Sequence, residues 1–99
     1  MLARERVLMA LNHEEPDRVP IDLGSTPVTG ICRNAYADLL ASLGLSGREI
    51  QVVDMVQQLA GVDEDVLEAL EVDLRPINTN PPASFRLRVR DEGDYESYY

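Results

Sequence analysis

The apolar residues of this chain recur with two different periods, and the period divides it into elements. Ala3, Val7, Leu8 and Leu11 sit at helical spacings and predict an amphipathic helix over residues 2–13, with Arg4, Glu5, Arg6 and Asn12 turned to solvent. Pro16 and Pro20 then fix φ and force extended residues ahead of them, so that helix cannot continue. Val19, Ile21 and Leu23 alternate with Pro20 and Asp22, the pattern of a first strand over residues 19–23. After a polar loop, Cys32, Tyr36, Leu39, Leu40 and Leu43 form one apolar stripe and predict a helix over residues 30–43, ended by Gly44. Residues 50–53 suit a helix after a Ser46/Glu49 capping box, or equally an extended segment. The reading adopted is an extended start followed by a helical turn over residues 55–59. Asp63, Glu64 and Asp65 open another helix, with Val66, Leu67 and Leu70 as its buried face, and residues 72–77 follow as a second strand. Residues 78–84 read as a linker. Phe85, Leu87 and Val89 alternate with Arg86, Arg88 and Arg90, and with a turn at residues 91–94 and a return over 95–99 they predict a hairpin.

Strand, helices and strand in that order make an α/β crossover if the two strands are parallel neighbours. The loop after the first strand is where such folds build sites. Asp22 stands two residues before Gly24, which breaks the strand, and is a candidate for holding a substrate group, or a carboxylate that pairs locally. Ser25, Thr26 and Thr29 offer hydroxyls ahead of a helix N-terminus, between Gly24 and Gly30, and are candidates for substrate binding. The competing role for Thr29 is to cap the helix. Arg75, near the end of the second strand, could grip a carboxylate or phosphate, or form an ion pair with Asp22. No catalytic residue is assigned.

The stretch RERVLMALNHEEPDRVPIDLG, from Arg4 to Gly24, resembles the N-terminal part of the uroporphyrinogen decarboxylase superfamily. That superfamily holds the tetrapyrrole decarboxylase and cobamide-dependent methyltransferases. The continuations GSTPVTGICRNAYADLLASLGL and VVDMVQQLAGVDEDVLEALEVDLRPI are similar to its methyltransferase-like branch. The resemblance implies a (β/α)8 TIM-type barrel. A barrel takes about 250 residues, so the 99 here correspond to its N-terminal part, an incomplete barrel with a β-hairpin near the C-terminus. Residues 1–13 are then the leading helix, 18–77 the first two strands with their intervening helices, and 85–99 the hairpin. The decarboxylase carries an arginine-rich motif in its first loop. The matching residues here, Ser25 to Cys32, contain no arginine, which points away from uroporphyrinogen. The decarboxylase of tetrapyrrole biosynthesis and a non-catalytic truncated α/β module are the alternative readings.

Charge and composition narrow the partners. Eighteen acidic residues against nine arginines give a formal charge of −9, which excludes non-specific binding to nucleic acid. No apolar run reaches the roughly 20 residues that span a bilayer, and a single cysteine fits a reducing compartment, so the expected location is cytoplasmic. His13 and Cys32 lie in no metal-ligand pattern. His13 is read as a helix-end residue and Cys32 as a buried small hydrophobe. No metal or cofactor is therefore expected on these residues; zinc and a cobamide belong, by the resemblance, to the full-length relative, as does a small-molecule substrate. Open sheet edges are expected to allow homo-oligomers.

Overall fold

The computed structural model describes residues 1–77, 88–93 and 95–98. The first helix, α1, runs Ala3–Leu11, and the Glu5 carboxylate in its first turn accepts the Leu2 N–H at 3.1 Å. Its orientation is the reverse of the amphipathic expectation. Arg6 is its buried residue, 7 % exposed, while Leu8 is 42 % and Leu11 70 % exposed. The reason is electrostatic: Asp17 and Asp73 together offer Arg6 a carboxylate for each edge of its guanidinium, and the helix turns to meet them.

Residues 19–23 and 72–77 were expected as parallel strands, and neither forms a hydrogen-bonded strand. They meet at one point, where the Asp73 N–H donates to the Ile21 carbonyl at 2.8 Å. The Ile21 N–H is taken by the Asp73 side chain at 2.9 Å instead of by a backbone carbonyl. Pro20 has no N–H to continue the ladder, so it stops there.

The helix expected over residues 30–43 begins later. A 3-10 turn, Pro27–Thr29, comes first, and α2 runs Arg33–Ser42 with Tyr36 and Leu40 buried. Ile31 and Cys32 are drawn out of the helix because they pair with the residues that follow the next strand turn. The Ala60 N–H donates to the Ile31 carbonyl and the Arg33 N–H to the Gln58 carbonyl, both at 2.8 Å. Gly30 makes that approach possible: a Cβ there would stand 2.7 Å from Leu59 Cδ1. Cys32 becomes the N-cap of α2 and is exposed, so its assignment to the buried stripe is corrected.

The helical turn expected over residues 55–59 is instead the bend of an antiparallel hairpin. Strand β1, Val52–Asp54, pairs with β2, Leu59–Ala60, with an irregular register between Val52 and Asp54. The Asp54 carboxylate stops the chain from continuing straight: it accepts the Val56 and Gln57 N–H groups, each at 3.0 Å. Residues 46–49 form no helix cap; they lie in the turn that precedes β1. Helix α3, Glu64–Ala69, starts where its acidic first turn predicts, with Asp63 as N-cap. A last hairpin pairs β3, Val89–Asp91, with β4, Glu96–Tyr98, through Gly93 in the left-handed region and the Gly93 N–H on the Asp91 carboxylate. The expectations for residues 78–87, Asp94 and Tyr99 lie outside the described residues.

Tyr36, Leu40, Ala60 and Val66 form the centre of the core, so α2, β2 and α3 each contribute to it. The three helices end in one way. After α1, α2 and α3 the next residue but one, His13, Gly44 and Glu71 respectively, takes positive φ. In each case it donates to the carbonyl three back, and the residue after it reaches the carbonyl five back. These are Schellman closures. They fulfil the helix-end role of His13, and they make Glu71 a strained choice. Glu71→Gly is expected to raise stability by about 1 kcal/mol, read as a higher urea midpoint at unchanged slope, whereas Gly44→Ala should lower it by a similar amount.

Candidate functional site

The first loop holds the residues singled out for substrate. Asp22 accepts the Ser25 N–H at 3.2 Å and the Ser25 hydroxyl at 2.5 Å, which is the local pairing weighed against a substrate role. The Thr29 hydroxyl donates to the Thr26 carbonyl and accepts the Thr26 N–H, both at 3.2 Å. Thr29 therefore closes its own turn and does not cap α2. Gly24, at φ 86°, donates its N–H to the Thr29 carbonyl at 2.9 Å and shuts the loop. Asp22, Ser25, Thr26 and Thr29 are thus brought into one compact loop. Beside it, Ser25, Thr26 and Gly30 on one side and Asp54 and Leu59 on the other enclose a hollow of about 70 Å³.

Arg75 does not join them. Its Nε lies 3.0 Å from both Glu64 carboxylate oxygens, and its Nη1 donates to the carbonyls of Val72 and Leu74. Of the two roles weighed for Arg75, the ion pair with Asp22 does not form; its carboxylate partner is Glu64, which opens α3.

A larger cavity of about 650 Å³ opens on the other side of Gly24, Val53 and Ala60. It is lined by the continuous run of residues 49–53 together with Leu23, Val62, Asp63, Leu67, Pro76 and Val89. Among the described residues its charged lining groups are Glu49 and Asp63. Asp63 is held from behind: the buried Tyr36 hydroxyl donates to its carboxylate and accepts its backbone N–H at 2.9 Å. Burial, and then the Asp63 carboxylate, push the Tyr36 phenol up to about 12, so it remains a donor at neutral pH. Arg48 lies 3.6 Å from Asp63 but spends its planar fork on Asp65, with two bonds of 3.0 Å. That pairing raises Arg48 and lowers Asp65.

Sequence reasoning missed a four-residue ion cluster among the described residues. Arg6 clasps Asp17 through Nε and Nη2, at 2.7 and 3.0 Å, and reaches Asp73 through Nη1 at 2.5 Å. Arg18 grips both Asp73 oxygens, at 2.8 and 3.2 Å, and the Glu71 carbonyl. The Asp73 side chain is 2 % exposed yet has a donor at every turn. The signal was present in the sequence as a lone carboxylate between Val72 and Leu74, the same placement that drew attention to Asp22.

Among the described residues none is grouped as a zinc site needs. His13 and Cys32 are both exposed and stand on different elements, and among the described residues no group of three or more His, Cys, Asp or Glu could hold a metal ion. No helix of the described residues is long and apolar enough to cross a membrane. Compared with known proteins, the chain matches no family model, no curated protein and no solved structure.

Proposed function

We propose that the chain is the N-terminal portion of a uroporphyrinogen decarboxylase-superfamily barrel, from the cobamide-dependent methyltransferase-like branch, working in the cytoplasm on a small-molecule substrate. The observation that carries this reading is the fate of the residues in which the resemblance resides. Arg6 of RERVL, Asp17 and Arg18 of PDRVP, and Asp73 of VDLRP converge on a single ion cluster. The motif thereby acquires a physical purpose: it fastens the leading helix and the first extended segment to the second. One backbone bond, from the Asp73 N–H to the Ile21 carbonyl, joins the two segments that this reading takes as the first and second barrel strands.

On this reading Asp22 lies near the end of the first strand and Ser25, Thr26 and Thr29 follow it, on the side where barrels hold substrates, in a closed, prebuilt loop. Arg75 stands apart from that loop, paired with Glu64 on the surface. Zinc and cobamide, where the relative uses them, are assigned to residues beyond 99, and no step is routed through them here.

The test is made on the uninterrupted reading frame that contains this chain. The whole product, given zinc, a methylated cobamide and a thiol, is expected to demethylate the cobamide. Conversion of uroporphyrinogen instead would overturn the branch assignment. A frame that ends at residue 99, or whose remainder lacks further strand–helix units, would overturn the barrel.

A further inference from the structure

α1 turns Arg6 toward the body of the chain, and its opposite face is left with two leucines. Leu8 is 42 % and Leu11 70 % exposed. They share one stripe with Arg4, at helical spacings of four and three. The next position of that spacing is Glu15, just past the helix end. Arg4, Glu14 and Glu15 are exposed and form no ion pair among the described residues. These three charges also stand at the wrong ends of the helix. The dipole favours acids at the N-terminus and bases at the C-terminus, yet Arg4 lies in the first turn of α1 and Glu14 and Glu15 follow its last. Glu5 is the one charge placed as the dipole prefers.

We propose that α1 packs antiparallel against α1 of a second copy of this chain, about a two-fold axis between Leu8 and Leu11. Leu8 of each copy then meets Leu11 of the other, and Arg4 of each meets Glu15 of the other. Each helix end thereby receives from its partner the charge that its dipole favours. A parallel pairing would set like charges against each other. The nine residues of α1 span about 14 Å. Such a contact falls below the roughly 1,200 Å² of stable complexes, so the dimer is weak, with a Kd on the order of 0.1 mM. The charge of −9 on each copy opposes it further and keeps the dilute chain monomeric. The proposal does not rest on the barrel assignment.

The test is sedimentation of the full chain from about 10 µM to about 1 mM, with backbone amide resonances followed over the same range. Concentration-dependent shifts centred on α1 are expected, with those of α2 unmoved. Leu8→Ser together with Leu11→Ser, both at exposed positions, should leave the fold intact and the chain monomeric throughout. Arg4→Glu and Glu15→Arg should each weaken association about tenfold, and the two combined in one chain should restore it. Glu15→Arg is the discriminating variant, because it lowers the net charge and would strengthen any association limited by general repulsion. A monomer at every concentration would overturn the proposal. So would association that survives the serine pair, a Glu15→Arg chain that associates as well as the wild type or better, or a double swap that stays weak.

Discussion

Tyr36→Ala should lower the unfolding free energy by about 4 kcal/mol, the usual loss for a large aromatic residue deleted from a packed core. Tyr36 is fully buried, and it touches both chemistries of the fold. Its ring packs with Leu40, Ala60 and Val66, joining α2 to β2 and α3. Its hydroxyl serves the N-cap residue of α3 twice, through the Asp63 carboxylate and the Asp63 N–H. Tyr36→Phe separates the two contributions. It keeps the ring and leaves two polar groups of Asp63 short of a partner, which should cost about 1–2 kcal/mol. The wild type carries a pH signature that Phe lacks. The folded phenol titrates near 12, above its ordinary value of 10.0, so the unfolded chain loses this proton first as pH rises. The contribution is complete below pH 10 and falls away between about 10 and 12. Chemical denaturation across that range should show the wild type converging on Tyr36→Phe. Parallel curves would show that the hydroxyl does not hold Asp63.

Asp73→Ala should cost about 3 kcal/mol, because it leaves the Arg6 and Arg18 guanidinium groups facing each other around a site that water barely reaches. The obvious surface variants, such as Glu14→Ala, should do almost nothing. A double-mutant cycle of Asp73→Ala with Arg18→Met gives the sharper test: if Arg18 is held by Asp73, the second substitution costs far less once the first is present. Additive losses would mean that the cluster is a crowd of independent surface pairs. Acid provides a second route to the same contact. Burial pushes the Asp73 carboxyl up, but the Ile21 N–H and the two guanidinium groups outweigh it and hold it below its ordinary range. The Arg6 hydrogen bonds lower Asp17 to about 2. Both carboxylates are depressed in the folded chain, so their contribution is present above about pH 4 and is lost as pH falls toward 2. Acid unfolding of the wild type should begin in that window, and Asp73→Ala should flatten it.

How far the fold was legible depended on what ended each element. The helices at 33–42 and 64–69 were readable because apolar spacing and stop residues agreed: Tyr36 and Leu40 before Gly44, Val66 and Leu67 after an acidic first turn. The residues before α2 were not readable as extended. Ile31 falls inside the span predicted as helix, and only its pairing with Ala60, made across many intervening residues, pulls it straight. The β1–β2 bend was misread for a related reason: apolar residues on both sides of Asp54 fit a helical period, while the decisive bond is made by a carboxylate to the two N–H groups beyond it. In the candidate site, the Asp22–Thr29 loop was legible from its Gly, Pro and hydroxyl residues. The partner of Arg75 was not, since Asp22 and Glu64 are equally acidic in sequence and only the placement of α3 distinguishes them. The inward face of α1 was misjudged because hydropathy assigns every arginine to water, whereas two carboxylates from distant turns had prepared a place for this one.

That place has a consequence for how the molecule breathes. α1 is anchored by charge and leaves Leu8 and Leu11 in solvent, so detaching it requires a few polar bonds to break and uncovers little apolar surface. Openings of that kind have almost no denaturant dependence and do not wait for the core. The amide protons of α1 would therefore leave through their own small fluctuation, on a separate free-energy level from those of α2 around Tyr36, and the chain would behave as two cooperative units of unequal stability joined at Asp73.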